Sequence, residues 1–233
     1  SNNSNTSGSA IVQMGLTSVM ATVSGPMDCT RKSDEIADRA TLDVQVRVAP
    51  FAASSGDRRY MNPNTDRRLL EQANLIQRAM EASILMQLHP RSKIEISIVV
   101  LADDGGRLCV AINAATLALI DAGIAVRDFV CACSAGLMDD VALVDLNRQE
   151  LSNYDNTSAV YLPCACMPQR NTIVLAQCES RLASAETLDR VLKAAMAGCQ
   201  AVFEVMSNAV RERATSLHTA NQGTAKVLLN FQH

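Results

Sequence analysis

The sequence has no tryptophan, and aromatic residues make up only 3% of the chain. Few side chains are therefore present on which nucleic-acid bases could stack. No apolar run approaches the roughly 18 residues of a membrane span, and no charged-then-apolar segment of the secretory type opens the sequence. Positive charge is not in excess either, since the formal net charge is -3. We expect a soluble intracellular protein without membrane contact, in which any contact with nucleic acid is local.

The apolar content is sufficient for a large core, because 48% of the 233 residues are hydrophobic. We expect a flexible polar segment at residues 1–9 and a single domain over residues 10–233. Seven of the eight cysteines lie in apolar runs, which favours reduced core thiols over disulfides. They are Cys109, Cys131, Cys133, Cys164, Cys166, Cys178 and Cys199. The two C-x-C pairs at 131–133 and 164–166 could also supply four zinc ligands, although their apolar neighbours favour core packing.

The stretch from Pro90 to Leu137 organises the chain. Residues 94–101 predict a strand covered on both faces, because an alternating pattern runs into continuous apolar residues. A glycine-rich turn follows at residues 103–106, and then an alanine-rich helix that ends at Gly123. A second apolar strand completes the unit.

The flanking segments carry equally clear periodicities. A hairpin is predicted over residues 10–23, a half-buried strand over 41–50, and a strand pair over 159–167 and 172–178. One amphipathic helix is expected from a cap at Thr65 to Pro90, and another from Ser184 to about Arg213. We make no prediction for residues 215–233.

Four arginines are the best binding candidates in the sequence. Arg58 and Arg59 lie in a polar loop, and Arg67 and Arg68 open the first long helix. Guanidinium groups near free backbone N–H groups suit phosphodiester oxygens. The alternative interpretation is a solvated basic loop.

Other chemistry has less support. The turn Asp103–Arg107 could hold a phosphate or a cation, but a lone D-G-G is common in ordinary turns. The three histidines are isolated, and no G-x-S-x-G segment is present. An unrelated metabolic enzyme is therefore not indicated.

Several segments together resemble one known family. They are D-G-G at 104–106, N-A-A-T-L-A-L-I-D-A-G-I at 113–124, R-D-F-V-C-A-C-S-A-G-L at 127–137, the glycine-bounded block 8–26, and D-R-R at 66–68. They closely resemble the RNase PH-like subunits of the RNA exosome. The resemblance implies an α+β fold, the RNase PH-like domain of the ribosomal protein S5 domain 2-like type, with a mixed β-sheet packed with α-helices. Such subunits usually carry an R-x-D-G-R segment earlier, so we expect the natural chain to begin before Ser1.

The resemblance also assigns roles to residues. In the family the arginines of the D/E-R-R motif face RNA, which implies RNA contact by Arg67 and Arg68, assisted by Arg58 and Arg59. Active members have D-G/A-G-T/S-R as a phosphate clamp. Here Gly105 and Gly106 match, Arg107 falls on the hydroxyl position, and Leu108 falls on the arginine. Gly105, Gly106 and Arg107 are therefore only weak phosphate candidates.

The metal site of active members does not match. Their E-D-x-x-x-G-E-A-D block carries two magnesium-supporting aspartates, and a gapless alignment places Leu151 and Thr157 on them. An apolar side chain cannot hold Mg²⁺. We therefore expect no catalytic residues, no metal and no cofactor.

The resemblance implies a non-catalytic subunit of a hetero-hexameric exosome ring that guides single-stranded RNA through its channel. The expected partners are other RNase PH-like subunits, RNA-binding cap subunits and a hydrolytic exosome nuclease. The expected location is the nucleus, nucleolus and cytoplasm. The alternative is an active phosphate-dependent 3′-5′ exoribonuclease that releases nucleoside diphosphates and uses magnesium. That alternative needs a displaced acidic site built from Asp145, Glu150 or Asp155.

Overall fold

A computed structural model describes residues 6–29, 35–52, 66–138, 141–153, 160–178 and 184–230. Arg58, Arg59, Thr65, Asp155 and Thr157 lie outside the described residues. The elements in chain order are β1 (Gly8–Met14), β2 (Thr17–Asp28), β3 (Thr41–Val48), α1 (Arg67–Ser83), a short 3-10 helix (Met86–Leu88), β4 (Ser92–Ala102), α2 (Arg107–Asp121), β5 (Cys131–Met138), β6 (Val141–Val144), α3 (Arg148–Asn153), β7 (Val160–Met167), β8 (Thr172–Ala176) and α4 (Ala185–Asn230).

The strands form two four-stranded sheets. The first has the order β1-β2-β4-β3, in which β3 runs parallel to β4 and the other pairs are antiparallel. The second has the order β6-β5-β7-β8 and is antiparallel throughout. Helices pack against both sheets. The prediction of an α+β fold is therefore confirmed, with the strands divided between two sheets.

Helix α2 lies between the two sheets. It contacts β1 and β2 of the first sheet as well as β5 and β7 of the second. Ten of its side chains are buried, so an amphipathic pattern is not needed and small residues are favoured. Two buried polar side chains, Asn113 and Thr116, hydrogen-bond the backbone of the chain entering β5.

The first amphipathic helix is shorter than predicted. Asp66 caps it, since its carboxylate accepts a 3.0 Å hydrogen bond from the N–H of Arg68, and the predicted cap at Thr65 is wrong. The helix ends at Ser83 rather than at Pro90, because Ile84 turns extended and forms a β-bridge with Val126. Apolar spacing alone does not reveal this tertiary pairing.

Two other predictions need correction, and two short elements were missed. Strand β4 alternates buried and half-buried residues, so only one of its faces is fully covered. Strand β6 and helix α3 were not predicted. Cys178 is exposed, whereas the other six cysteines predicted in the core are buried. Within the described part of the chain, no helix is both long and apolar enough to cross a membrane.

Candidate phosphate and RNA-binding site

A cleft of about 670 Å³ opens between the first turns of α1, the turn before α2 and the start of β7. We call it the glycine-turn cleft. It brings together residues from widely separated parts of the chain. The lining residues are Arg68, Glu71, Gln72, Leu75, Asp103, Gly105, Gly106, Arg107, Leu108, Arg148, Tyr161, Pro163 and Gln177.

Two glycines shape the floor of the cleft. Gly105 has φ +118° and Gly106 has φ +62°, values that side chains disfavour. A Cβ on Gly105 would lie 2.9 Å from the carbonyl oxygen of Leu146, so only glycine fits there. The turn is also tied to the start of α3, because the Arg148 N–H donates to the carbonyl of Asp104.

The N-terminus of α2 opens at this turn. Its N-cap is Gly106, which supplies no side-chain acceptor for the first N–H groups of the helix. Those groups and the helix dipole favour an anion. The buried Nε of Arg107 and the hydroxyl of Ser134 strengthen this tendency, since neither has a hydrogen-bond partner among the described residues. Ser134 lies below Gly106, with its Oγ 3.7 Å from where a Cβ on that glycine would be.

Three arginines surround the cleft, and one carboxylate links two of them. Asp103 lies 3.4 Å from Nη1 of Arg107 and 4.0 Å from Nη2 of Arg148. This arrangement orients both guanidinium groups without neutralising them fully. Arg68 is exposed at the start of α1 and forms no ion pair with any described residue. Two carboxylates, those of Asp103 and Glu71, also line the cleft, so three arginines face two acids there, and the carboxylate of Asp145 lies beside Gly106.

The sequence-predicted residues divide into three groups. Arg68, Gly105, Gly106, Arg107 and Leu108 all line the cleft. Arg67 is exposed on the same helical turn but does not line it. Leu151 belongs to α3, and Thr157 lies outside the described residues, as do the loop arginines at 58 and 59.

Sequence reasoning missed Arg148 and Ser134. A signal for the first was present, since Asn147 and Glu150 form a capping box that starts α3. The backbone N–H of each residue donates to a side-chain oxygen of the other, at 2.8 Å in both cases. This box fixes Arg148 at the rim of the cleft.

Magnesium does not fit the described acidic residues. Asp145 and Glu150 are the described members of the displaced acidic site, but the carboxylate of Glu150 already accepts the N–H of Asn147 at the start of α3. Partial desolvation raises the pKa of Asp145, and repulsion from Glu150 adds to the effect. In the described ranges no group of three or more His, Cys, Asp or Glu side chains could hold a metal ion.

The two C-x-C pairs face each other across β5 and β7. Cys131 lies opposite Cys166, and Cys133 lies opposite Cys164. Cys131, Cys133 and Cys166 pack with Cys199 and Met206 of α4 in one buried cluster, and Cys164 belongs to a second buried cluster. The prediction that these thiols belong to the core is confirmed by their burial.

Comparison with known protein families identifies the fold and its ancestry. The model of domain 1 of the 3′ exoribonuclease family matches residues 1–125, and that of domain 2 matches residues 128–198. The chain belongs to the 3′ exoribonuclease family. The chain is 39% identical over 206 residues to the human "Exosome complex component RRP41", which covers 88% of this chain and 81% of that relative. The predicted likeness to RNase PH-like subunits of the ribosomal RNA-processing protein 41 type is thereby confirmed.

Archaeal relatives and solved structures agree. The Pyrococcus furiosus "Exosome complex component Rrp41" is 36% identical over 209 residues, which are 90% of this chain and 80% of that relative. Rice Rrp46 superposes with a TM-score of 0.72 at 22% identity, covering 89% of this chain and 90% of its own. An Archaeoglobus fulgidus exosome described as having RNA bound to the active site gives a TM-score of 0.67 at 21% identity, over 85% of this chain and 83% of its own. These two structures establish the fold.

Proposed function

We propose that this chain is a non-catalytic ring subunit of an RNA exosome and binds the backbone of single-stranded RNA in the glycine-turn cleft. The cleft itself carries the proposal. An uncapped helix N-terminus and three arginines meet there, one of them with its buried Nε unpartnered, and the unpartnered hydroxyl of Ser134 lies beneath Gly106; all of these groups suit phosphate oxygens. The relatives named as exosome components supply the assembly.

The charge distribution supports RNA binding that is confined to the cleft. The chain as a whole is acidic, with a formal net charge of -3, while arginines concentrate at the cleft. A ring subunit needs positive potential only where RNA passes. The RNA is then held by its phosphates, and such contacts position a strand without reading its sequence.

The lack of catalysis is proposed from the residues that replace the family's active ones. Leu108 lines the cleft where active members have the second clamp residue, and its aliphatic side chain cannot bind phosphate. Leu151 occupies an aspartate position in the gapless alignment, and the described acidic residues do not fit magnesium.

Ring membership is proposed from the family names and agrees with the surface. Several large apolar side chains are strongly exposed, among them Ile11 at 66%, Leu16 at 72% and Val205 at 70%. Subunits of obligate rings bury such side chains against their neighbours. We propose a hetero-hexameric ring of RNase PH-like subunits that joins RNA-binding cap subunits and a hydrolytic nuclease, in the nucleus, nucleolus and cytoplasm.

A phosphorolytic 3′-5′ exoribonuclease remains the second candidate, because one observation favours it. The unpartnered Nε of Arg107 and hydroxyl of Ser134 would suit inorganic phosphate as well as a phosphodiester. This candidate needs a magnesium site that includes residues outside the described ranges.

One experiment separates the two candidates. The chain is assembled with its RNase PH-like partners but without the hydrolytic subunit, and is given single-stranded RNA, Mg²⁺ and inorganic phosphate. We expect RNA binding without release of nucleoside diphosphates. Replacing Arg67 and Arg68 by glutamate should weaken RNA binding and leave ring assembly intact. Phosphate-dependent release that disappears in an Asp145→Asn, Glu150→Gln variant would instead establish an enzyme.

A further inference from the structure

A second cavity, of about 630 Å³, lies farther along α1 and contains three arginines from three different elements. Arg78 belongs to α1, Arg127 to the connection between α2 and β5, and Arg170 to the turn between β7 and β8. Ala82, Thr172 and Val174 are among its other lining residues. We call it the arginine groove.

The three guanidinium groups are available for a ligand. All three residues are exposed, and none of their side chains forms an ion pair with a described residue. Two carboxylates lie nearby. Asp128 is buried and accepts from the backbone N–H groups of Phe129 at 2.7 Å and Arg170 at 3.1 Å. Glu81 lines a neighbouring cavity that also includes Arg127 and accepts from Gln77 at 2.9 Å.

Hydrogen bonds hold the three arginine-bearing elements together. Asp128 ties the β7–β8 turn to the α2–β5 connection through the N–H of Arg170. The end of α1 is joined to the same connection twice, because the Ser83 hydroxyl donates to the carbonyl of Asp128 at 2.7 Å and the Arg127 N–H donates to the carbonyl of Ser83 at 2.8 Å. The arginines therefore project from a fixed frame, which lowers the ordering cost of binding an anion.

The groove continues the glycine-turn cleft. Arg68, Gln72 and Leu75 of α1 line the cleft, and Arg78 and Ala82 line the groove. Their spacing of three or four residues places them on one face of the helix. The β7–β8 hairpin forms the opposite wall of both cavities, with Pro163 at the cleft and Thr172 at the groove.

We propose that Arg78, Arg127 and Arg170 form a second phosphodiester site, so that single-stranded RNA held in the cleft continues along α1 into the arginine groove. This inference rests on the proposed function. At 1.5 Å per residue, Arg68 and Arg78 are about 15 Å apart along the helix axis, a distance that an extended RNA covers within a few nucleotides. The groove then contributes only to strands long enough to reach it.

The test uses RNA length as its variable. The full chain, alone and assembled with its RNase PH-like partners, is titrated with labelled oligonucleotides of about two nucleotides, too short to reach the groove, and of about 12 nucleotides. In the triple variant Arg78→Gln, Arg127→Gln, Arg170→Gln we expect affinity for the longer strand to fall about 10-fold or more, and its salt dependence to lessen by about 0.7 per lost phosphate contact. Affinity for the short strand should not change. The control is Arg211→Gln, which removes an exposed arginine of α4 that hydrogen-bonds Asn208.

The outcomes separate the two proposals. If parent and triple variant bind the long strand equally, the groove is not an RNA site. If the triple variant loses assembly with its partners while its RNA affinity is retained, the groove contacts an acidic protein surface and the inference is overturned. If Arg68→Gln does not weaken the short strand, or the parent does not bind RNA at all, the proposed function itself fails.

Discussion

Thr17 holds both sides of the glycine turn. Its hydroxyl donates a 2.7 Å hydrogen bond to the carbonyl of Gly105 and accepts a 2.9 Å hydrogen bond from the N–H of Asp104. Thr17 is the first residue of β2 and is only 3% exposed. The floor of the cleft is therefore fixed to the first sheet by one side chain.

Replacing Thr17 by valine keeps the shape of the side chain and removes both hydrogen bonds. Each backbone group left unpaired should cost about 1–3 kcal/mol of the free energy of unfolding. We expect a lower urea midpoint and weaker binding of inorganic phosphate. Thr17→Ser retains the hydroxyl and is the matched control. Equal stability of the valine variant and the parent would show that the two hydrogen bonds of the Thr17 hydroxyl do not stabilise the fold.

The two glycines of the turn should respond differently to alanine. Gly106→Ala has space for its Cβ and should cost only the left-handed backbone penalty of about 1–2 kcal/mol. Gly105→Ala adds a clash with the carbonyl of Leu146 and should cost more. Gly123→Ala, which has φ +72° and open space around it, is the control for backbone strain alone. Urea denaturation of the three variants gives the ranking, and an equal cost at Gly105 and Gly123 would contradict it.

Asn113 supplies the hydrogen bonds that a neighbouring strand would otherwise make. Its Oδ1 accepts from the N–H of Ala132 at 2.7 Å, and its Nδ2 donates to the carbonyl of the same residue at 2.9 Å. Strand β6 pairs with β5 only from Ala135 onward. Without the Asn113 side chain, the backbone N–H and carbonyl of Ala132 would therefore lose these partners.

Asn113→Leu should therefore be among the most destabilising changes in the chain. Two buried backbone groups lose their partners, at about 1–3 kcal/mol each. Thr116→Val is the comparison, because it removes a hydroxyl bonded to the carbonyl of Val130 and leaves one such group unpaired. The midpoint of thermal unfolding of Thr116→Val should lie between those of Asn113→Leu and the parent. The reverse order would refute this account of the two polar side chains.

Asp145→Asn should stabilise the chain at neutral pH. Its pKa is raised in the folded state, so the ionised carboxylate is less favourable there than in the unfolded chain. The free energy of unfolding of the variant should exceed that of the parent at pH 7, and the difference should vanish below the pKa of about 3.9 that an aspartate has in the unfolded chain. Asparagine also tolerates the φ of +60° at this position. Calorimetry should show tighter phosphate binding, because a negative charge beside Gly106 is removed; weaker binding would contradict the proposed anion site.

The buried thiols predict a loss of stability in alkaline solution. Burial raises the pKa of Cys131 to about 12 and that of Cys133 to about 11. The protonated thiols contribute fully to the free energy of unfolding below the pKa that they have in the unfolded chain. This contribution is lost as the pH rises through their pKa values in the folded chain. Above about pH 9 each thiol should lower the free energy of unfolding by up to about 1.4 kcal/mol per pH unit. Urea titrations at rising pH measure this slope, and Cys133→Ala should flatten it; an unchanged slope would exclude that thiol as a source.

Local patterns predicted the strands well and the long helices less well. The alternation of residues 94–98 and 41–48 depends on neighbours in sequence, and β4 and β3 lie where it indicates. The end of α1 depends on the bridge between Ile84 and Val126, which are brought together only by the fold. The length of α1 was overestimated for that reason, whereas α4 continues to Asn230, past its predicted end at about Arg213.

The candidate site was predicted in part. The glycine turn with Arg107 and the helix-opening Arg68 were found because each lies in a recognisable local motif. Arg148 of α3 lines the same cleft and Ser134 of β5 lies beside Gly106, and no local pattern indicates that either residue approaches the glycine turn. The family motif containing Asn113 was recognised, but its physical reason is visible only with Ala132 beside it.

The burial of α2 between the two sheets makes the two halves of the chain a single cooperative unit. If either sheet detached, it would uncover the apolar surface of a helix that also completes the other half of the core. The backbone amides of Ala114 and Ala115, both fully buried, can then exchange with heavy water only when the whole chain opens. Their exchange rates report the global stability of the protein, and ligand binding cannot depend on the separate opening of one half of this core.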